Sequence, residues 1–483
     1  MKKILFCVGF VFCNAIFIFA QTAAEKLKLQ IEKLQKDADL KHAVFGVCIL
    51  NAKTGKLVAE YNSEISLTPA STLKTLTTGA ALGLLGKNFR YETLLQYTGK
   101  YDSAKGVIDG DLVIKGSGDP TLNSQYFRKK EDTLELAETW AKILKEKGIK
   151  KITGKIIADN SCFDNEVPSN WIWGDMGNYY GAPANGLSYS DNKFALYFKS
   201  GSAGEKTEIV SQKPLVPGLK ITNKVTAGGS DDNAFIFGSP GNGDRMIRGT
   251  IPANQSKYEV EGSMPDPAYY CAFSLAEALK NAGIENSGKV EVVSEKGKTN
   301  GKTLYTHKSP VLEKIVYYTN MKSNNHYAET LLRTIAHRKN GVGTTSAGTD
   351  LVTEFWKGRG VETEGLFMND GSGLSRANAI SPLVQATILS KIYKDSLIYK
   401  SFNASLPVSG ESGGMIGIGK GTCAQGNMRA KSGYITRARS YAGYVKTKSD
   451  EEYCFSFIVN NYSCSPKVVK GKIEDVLVLF CEF

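Results

Sequence analysis

A change of texture interrupts this chain and limits its fold more than any other feature. Val44 to Leu50 and Leu57 to Tyr61 read as strands, and Leu76 to Leu85 as a helix of small and apolar residues suited to burial. From Tyr91 the character differs. Thr93 to Tyr97, Gly106 to Ile114 and Ile152 to Ala158 read as short strands, and Thr133 to Lys147 as a helix ended by Gly148. Phe198 to Ile251 is a run of strands and Gly/Asn/Asp turns. Pro267 to Gly283 returns to helix. After Pro310 come Val311 to Tyr318, Asn325 to Arg338 and Pro382 to Tyr393, all of helical texture. The tail alternates as a three-strand antiparallel meander: Met428 to Tyr434, Ser440 to Val445 and Tyr453 to Asn460. An amphipathic helix, Val468 to Phe480, closes it. Such a chain is one helix-and-strand unit split by a long insert. Its 483 residues exceed one ordinary core, which agrees.

The two ends of the chain set its surroundings. Met1-Lys2-Lys3, then apolar Ile4 to Ala20, reads as a secretory signal peptide over residues 1–20. A retained anchor is the alternative reading of that run. No other stretch is apolar enough to span a membrane, so no stable span is expected after signal removal. Gln21 to Leu40 has helical spacing in Leu27, Leu29, Ile31 and Leu34. The net charge of +12 suits an anionic wall or membrane surface as well as nucleic acid. No Lys/Arg block or recognition motif is present, so nucleic acid is excluded as a partner. Two of nine cysteines, Cys7 and Cys13, fall in the leader, and the odd remainder has no Cys-x-x-Cys. A zinc site or a dense disulfide framework is therefore not expected.

Three polar clusters carry the chemistry. Ser71-x-x-Lys74 opens a helix, so the hydroxyl and the amine share a face one turn apart. A neutral amine can take a serine proton, and burial or a second cation keeps a lysine neutral. Ser323-Asn324-Asn325 lies in a turn between helices. Lys431-Ser432-Gly433 lies on a strand of the final meander. Each alone also reads as a cap or a solvated side chain. In this order and these settings they match the Ser-x-x-Lys, Ser-x-Asn and Lys-Thr/Ser-Gly set of penicillin-recognising serine enzymes.

The chain resembles the D-alanyl-D-alanine carboxypeptidases/endopeptidases of the class C, type 4 low-molecular-mass penicillin-binding proteins. The stretches that carry the resemblance are Pro69 to Lys74, Gly116 to Pro120, Tyr179 to Pro183, Asp370 to Arg376, Leu406 to Gly410 and Arg429 to Gly433. Ser432 stands where Thr is commoner, and Tyr434 where Thr is frequent. The resemblance implies a mixed α+β fold. A β-lactamase/transpeptidase-like catalytic domain, an antiparallel sheet flanked by helices, holds a nested insertion of one α/β and one β-rich domain. The expected boundaries are 21–88 and 290–483 for the catalytic domain, 89–197 and 252–289 for the insert, and 198–251 for the β-rich unit within it. It implies Ser71 as nucleophile and Lys74, crowded by the Lys431 cation, as base. Ser323 relays the proton to the departing D-Ala amine, and Asn325 positions the Lys74 amine and the substrate amide. Lys431 and Ser432 hold the terminal carboxylate, the Ser71 and Tyr434 amides form the oxyanion hole, and the strand through Gly433 pairs with the peptide. Asp159 resembles a position near the substrate's diamino acid. The partners implied are peptidoglycan stem peptides, with β-lactams as covalent inhibitors, in the periplasm. No metal and no cofactor is expected.

Other readings weigh less. Gly410-Glu411-Ser412-Gly413-Gly414 imitates a trypsin-like serine motif, but too little chain separates it from His337, which lies in a helical run. Four histidines without His-x-x-x-His argue against a zinc peptidase. A β-lactamase or transpeptidase would share the chemistry. A non-catalytic wall-binding protein would have lost Lys74 or Lys431, and both are present.

Overall fold

A computed structural model describes residues 22–129 and 131–483. The expected signal segment lies outside the described residues. The architecture is mixed α+β. Its organising layer is a five-stranded, wholly antiparallel sheet in the order Met428–Ile435, Ala438–Lys446, Glu452–Asn460, Val44–Asn51, Leu57–Tyr61. The tail meander thus gains two strands from the start of the chain, and Val44–Asn51 pairs along its whole length with Glu452–Asn460.

Alternation decides what covers this sheet, because successive side chains leave opposite faces. Val47, Ile49, Phe455, Phe457 and Val459 face one side and bury the helices Ala23–Gln35 and Pro466–Leu479. Cys48, Leu50, Ala442, Tyr444, Cys454 and Ile458 face the other, against the helices Lys74–Leu85, Asn325–Asn340, Thr345–Lys357 and Pro382–Lys394. The Lys74–Leu85 helix is buried over nearly its whole length, as its composition suggests. Leu73 and Leu76 are wholly buried, and each such side chain contributes about 2 kcal/mol.

The intervening segment has its own core. Its main sheet runs Val290–Val293, Ile156–Asp159, Leu112–Lys115, Glu92–Tyr97, Lys302–Lys308, with parallel and antiparallel pairs mixed. The helices Leu136–Glu146 and Pro267–Asn281 pack with it. The last two strands of the segment extend this sheet to Lys308, beyond the boundary at 289. Asn300-Gly301 and Ser309-Pro310 flank the last of these strands, but a turn signal marks where an element ends and not which sheet it joins. Two three-stranded sheets complete the segment. One joins Glu208–Lys213, Lys193–Lys199 and Tyr258–Ser263, so the β-rich strands also pair beyond 198–251. The other joins Lys220–Ala227, Asp244–Ile251 and Phe235–Phe237.

Among the described residues one disulfide, Cys423–Cys481, ties the loop before the edge strand to the C-terminal turn. Cys48, Cys162, Cys271 and Cys454 are free and buried. No helix among the described residues is long and apolar enough to cross a membrane.

Candidate active site

Ser71 does not sit on the first α-helical turn. It lies in a 3-10 turn, Ala70–Leu73, and the α-helix starts at Lys74. Ala70 is held left-handed at φ 48°, a conformation that costs a non-glycine residue about 1 kcal/mol or more. Its surroundings hold it there. The Pro69 carbonyl accepts from Thr72 Oγ1 at 2.9 Å and from Ser440 Oγ. Gly373, at φ 82°, lies so close to the Ala70 carbonyl that a Cβ would come within 1.9 Å of the oxygen. The Asp370–Arg376 loop therefore needs glycine at this point to brace the Ser71 turn.

Lys74 is fully buried. Its Nζ lies 2.9 Å from Ser71 Oγ, 2.6 Å from Asn325 Oδ1 and 2.6 Å from the Ser372 carbonyl. The last two oxygens only accept. A neutral amine spends its two N–H bonds on them and turns its lone pair to the Ser71 hydroxyl, the one partner able to donate. Burial pushes the Lys74 ammonium down to about 7, against the pull of Asp370 and Glu329. Desolvation, more than a neighbouring cation, is what weakens its hold on the proton.

Lys431 is also buried, on the edge strand. Its Nζ donates to Ser323 Oγ at 2.9 Å and to the Ser432 carbonyl at 2.6 Å. Burial first, and the Lys74 charge second, push it well below the ordinary lysine range. Among the described residues no carboxylate offsets this, whereas Asp370 and Glu329 lie near Lys74. Ser323 is held left-handed at φ 54° in the turn before the Asn325–Asn340 helix. Asn325 Nδ2 donates to the Tyr180 carbonyl at 2.8 Å, which fixes the orientation of its amide.

The Met428–Ile435 strand lies at the sheet edge. Ala430 N and the Met428 carbonyl bond outward, to Pro407 and Ser409. The two-residue alternation of an antiparallel strand turns the Ser432 and Tyr434 backbone the same way, towards the open edge. Gly433 backs onto the Ser71 amide, where a Cβ would come within 3.0 Å of the nitrogen.

A cleft of about 500 Å³ opens here, lined by Ser71, Ser323, Asn325 and Tyr434. The insert supplies much of its opposite wall through Tyr126, Asp175, Tyr179 and Phe235. Asp159 is not brought to it. That carboxylate is 2% exposed and accepts from the Ser161 amide at 3.0 Å and the Thr299 hydroxyl. It ends a central strand of the insert sheet, where its oxygens satisfy a local turn. Asp175 and Asp191 are the acids that line the cleft instead; Asp191 accepts from Tyr327 Oη, whereas Asp175 has Arg376 nearby. Asp175 and Arg376 stand in stretches marked by their composition, Trp171 to Asp175 and Asp370 to Arg376, but composition assigns neither a role. Among the described residues, no group of three or more His, Cys, Asp or Glu is placed to hold a metal ion.

The D-Ala-D-Ala carboxypeptidase 3 (S13) family model matches residues 27–481. The chain belongs to that peptidase family. Two curated relatives agree in kind. The D-alanyl-D-alanine carboxypeptidase of Actinomadura sp. (strain R39) is 28% identical over 453 residues, covering 91% of this chain and 81% of the relative. The D-alanyl-D-alanine carboxypeptidase DacB of Haemophilus influenzae is 27% identical over 440 residues, covering 88% and 87%. In fold, the chain is similar to penicillin binding protein 4 (dacB) from Haemophilus influenzae. The TM-score is 0.78 at 24% identity, with 94% of this chain and 99% of that one covered. A second structure of that protein, complexed with a β-lactam, gives 0.74 and covers 95% and 99%. This family member is thus a serine-type peptidase of the D-alanyl-D-alanine carboxypeptidase class.

Proposed function

We propose that the chain removes the terminal D-Ala from peptidoglycan stem peptides through an acyl-enzyme on Ser71. The arrangement that supports this most is the buried Lys74 amine, whose two N–H bonds are taken by pure acceptors and whose third direction meets Ser71 Oγ at 2.9 Å. A proton affinity near 7 leaves much of this amine neutral at working pH.

The extended D-Ala-D-Ala end lies along the outward edge of the Met428–Ile435 strand as an added strand. Its carboxylate meets Lys431 and the Ser432 hydroxyl. An anion there restores the Lys431 charge, and like-charge repulsion then favours the neutral form of Lys74. Ser71 Oγ bonds to the carbonyl carbon of the penultimate D-Ala as its proton passes to Lys74. The oxyanion rests between the Ser71 and Tyr434 amides, a donor pair worth roughly 3 kcal/mol each in such sites. Collapse breaks the C–N bond. The leaving amine takes the proton from Lys74 through Ser323, and water later releases the acyl group to regenerate Ser71.

Asp175 and Arg376, opposite charges on one wall, complement the ammonium and carboxylate ends of a diamino acid in the stem. Cleavage of a D-Ala–diamino acid cross-link uses the same groups with a larger amine leaving. Residues 1–20 direct export and residues 21–483 work in the periplasm, where the Cys423–Cys481 disulfide is stable. β-Lactams acylate Ser71 in place of the peptide.

Incubation with a fluorescent penicillin and mass mapping tests this reading. We expect one adduct, on Ser71, absent in Ser71→Ala. No adduct, or labelling that survives Ser71→Ala, defeats it.

A further inference from the structure

One buried acid beside Lys74 is left out of this scheme. Glu329 lies four residues after Asn325 on the Asn325–Asn340 helix, on the same face. It is 1% exposed. Its Oε1 accepts from the Gly371 amide at 3.0 Å and the Ser372 amide at 2.8 Å. Ser372 is the residue whose carbonyl takes a hydrogen bond from Lys74 Nζ. Thr77, one turn after Lys74, holds the Gly371 carbonyl at 2.8 Å. The Gly371–Ser372 peptide is therefore gripped from two helices, and its far end rests on the base.

The neighbouring acid is used differently. Asp370 is saturated by Trp171 Nε1, the Gly373 and Ser375 amides and Asn378 Nδ2. Glu329 Oε2 makes no hydrogen bond to any described group. Simple loop bracing would leave neither a spare buried oxygen nor a charge so near the base. Arg333, one turn further on, directs its guanidinium to Asp164 and the Glu166 carbonyl. The charges facing Glu329 are thus Lys74 from its helix, Asp370 from the loop and Arg333 from its own helix, with Lys431 beyond Lys74.

We propose that Glu329 is a positioning residue for the Lys74 base: it clamps the peptide that orients the amine, and its negative charge governs how readily Lys74 gives up its proton. Burial, then the Asp370 charge, push the Glu329 carboxyl up to about 7, close to Lys74. The two groups exchange charge over one pH range. An ionised Glu329 strengthens the hold of Lys74 on its proton, and a neutral one lets the amine become free at lower pH.

This inference rests on Lys74 being the base, so its test begins from a wild-type protein that labels on Ser71. Failure to label sinks that reading; the outcomes below concern Glu329 alone. Glu329→Gln keeps an acceptor for both amides and removes the charge. The acid limb of penicillin acylation against pH is expected to move to lower pH by about half a unit or more. A limb coincident with wild type overturns the proposal, whatever happens to thermal stability. A second measurement needs no variant. Difference infrared spectra of the wild type should show a buried carboxyl band titrating near neutral pH, with a midpoint that moves once Ser71 is acylated. Absence of such a band, or a midpoint unmoved by acylation, overturns it equally.

Discussion

Ser71 Oγ has one usable proton acceptor, the Lys74 amine, and the pH response follows from that. The acceptor works only when neutral. Burial holds Lys74 near 7, so acylation should reach its plateau above that value. It should fall about tenfold per pH unit below it, measured as the rate of penicillin adduct formation. In the mechanism proposed, Lys431 receives the substrate carboxylate. Lys431→Ala removes a charge-assisted contact worth about 2 kcal/mol, so kcat/KM for a D-Ala-D-Ala peptide should drop about thirtyfold or more. N-acetylated substrates with an amidated C-terminus should be little affected by that change. The residues of the three motifs were legible because their types and order are unusual together. Asp159 was misplaced for a physical reason. An acid before a turn looks alike in sequence whether its oxygens face a cleft or the Ser161 amide and Thr299. Glu329 gave no signal because one acid in a helix is ordinary until its burial is known.

Glycine positions govern how closely the elements around the cleft approach. Gly414 passes the edge strand so closely that a Cβ would lie 2.0 Å from Ser432 Oγ. Gly414→Ala should therefore displace that hydroxyl and raise KM for carboxylate-ending substrates about tenfold, with the fold retained by circular dichroism. Gly83, inside the Lys74–Leu85 helix, meets the Phe355 ring, which a Cβ would approach to 2.3 Å. Gly83→Ala should destabilise by about 1–3 kcal/mol in urea unfolding, despite the better helix propensity of alanine. Period and alternation made most helices and strands readable. The helices Thr345–Lys357 and Tyr399–Ser405 escaped. The first holds three Thr and a Gly, the second spans only two turns, and packing against the main core, not propensity, sustains both. The pairing of Val44–Asn51 with Glu452–Asn460 was equally hidden, since alternation shows that a strand exists and not which strand lies beside it.

The whole molecule joins its first and last segments. The Cys423–Cys481 disulfide closes a loop over a separation of 58 residues. Reduction, or a double Cys→Ser variant, should lower stability by about 2–4 kcal/mol, read as a drop in urea midpoint between oxidised and reduced protein. The insert, by contrast, docks through polar groups near the cleft: Tyr327 on the Ser-x-Asn helix bonds Ser124 and Asp191 of the insert at 2.7 and 3.0 Å. The strand Val44–Asn51, early in the chain, takes as its neighbour Glu452–Asn460, about 400 residues later. Through that neighbour, and Ala438–Lys446 beside it, the strand at the start of the chain is joined to the edge strand that carries Lys431. The sheet behind Ser71 is thus a closure between the two halves of the interrupted unit, and Glu452–Asn460 is the clasp that holds Ala438–Lys446 to Val44–Asn51.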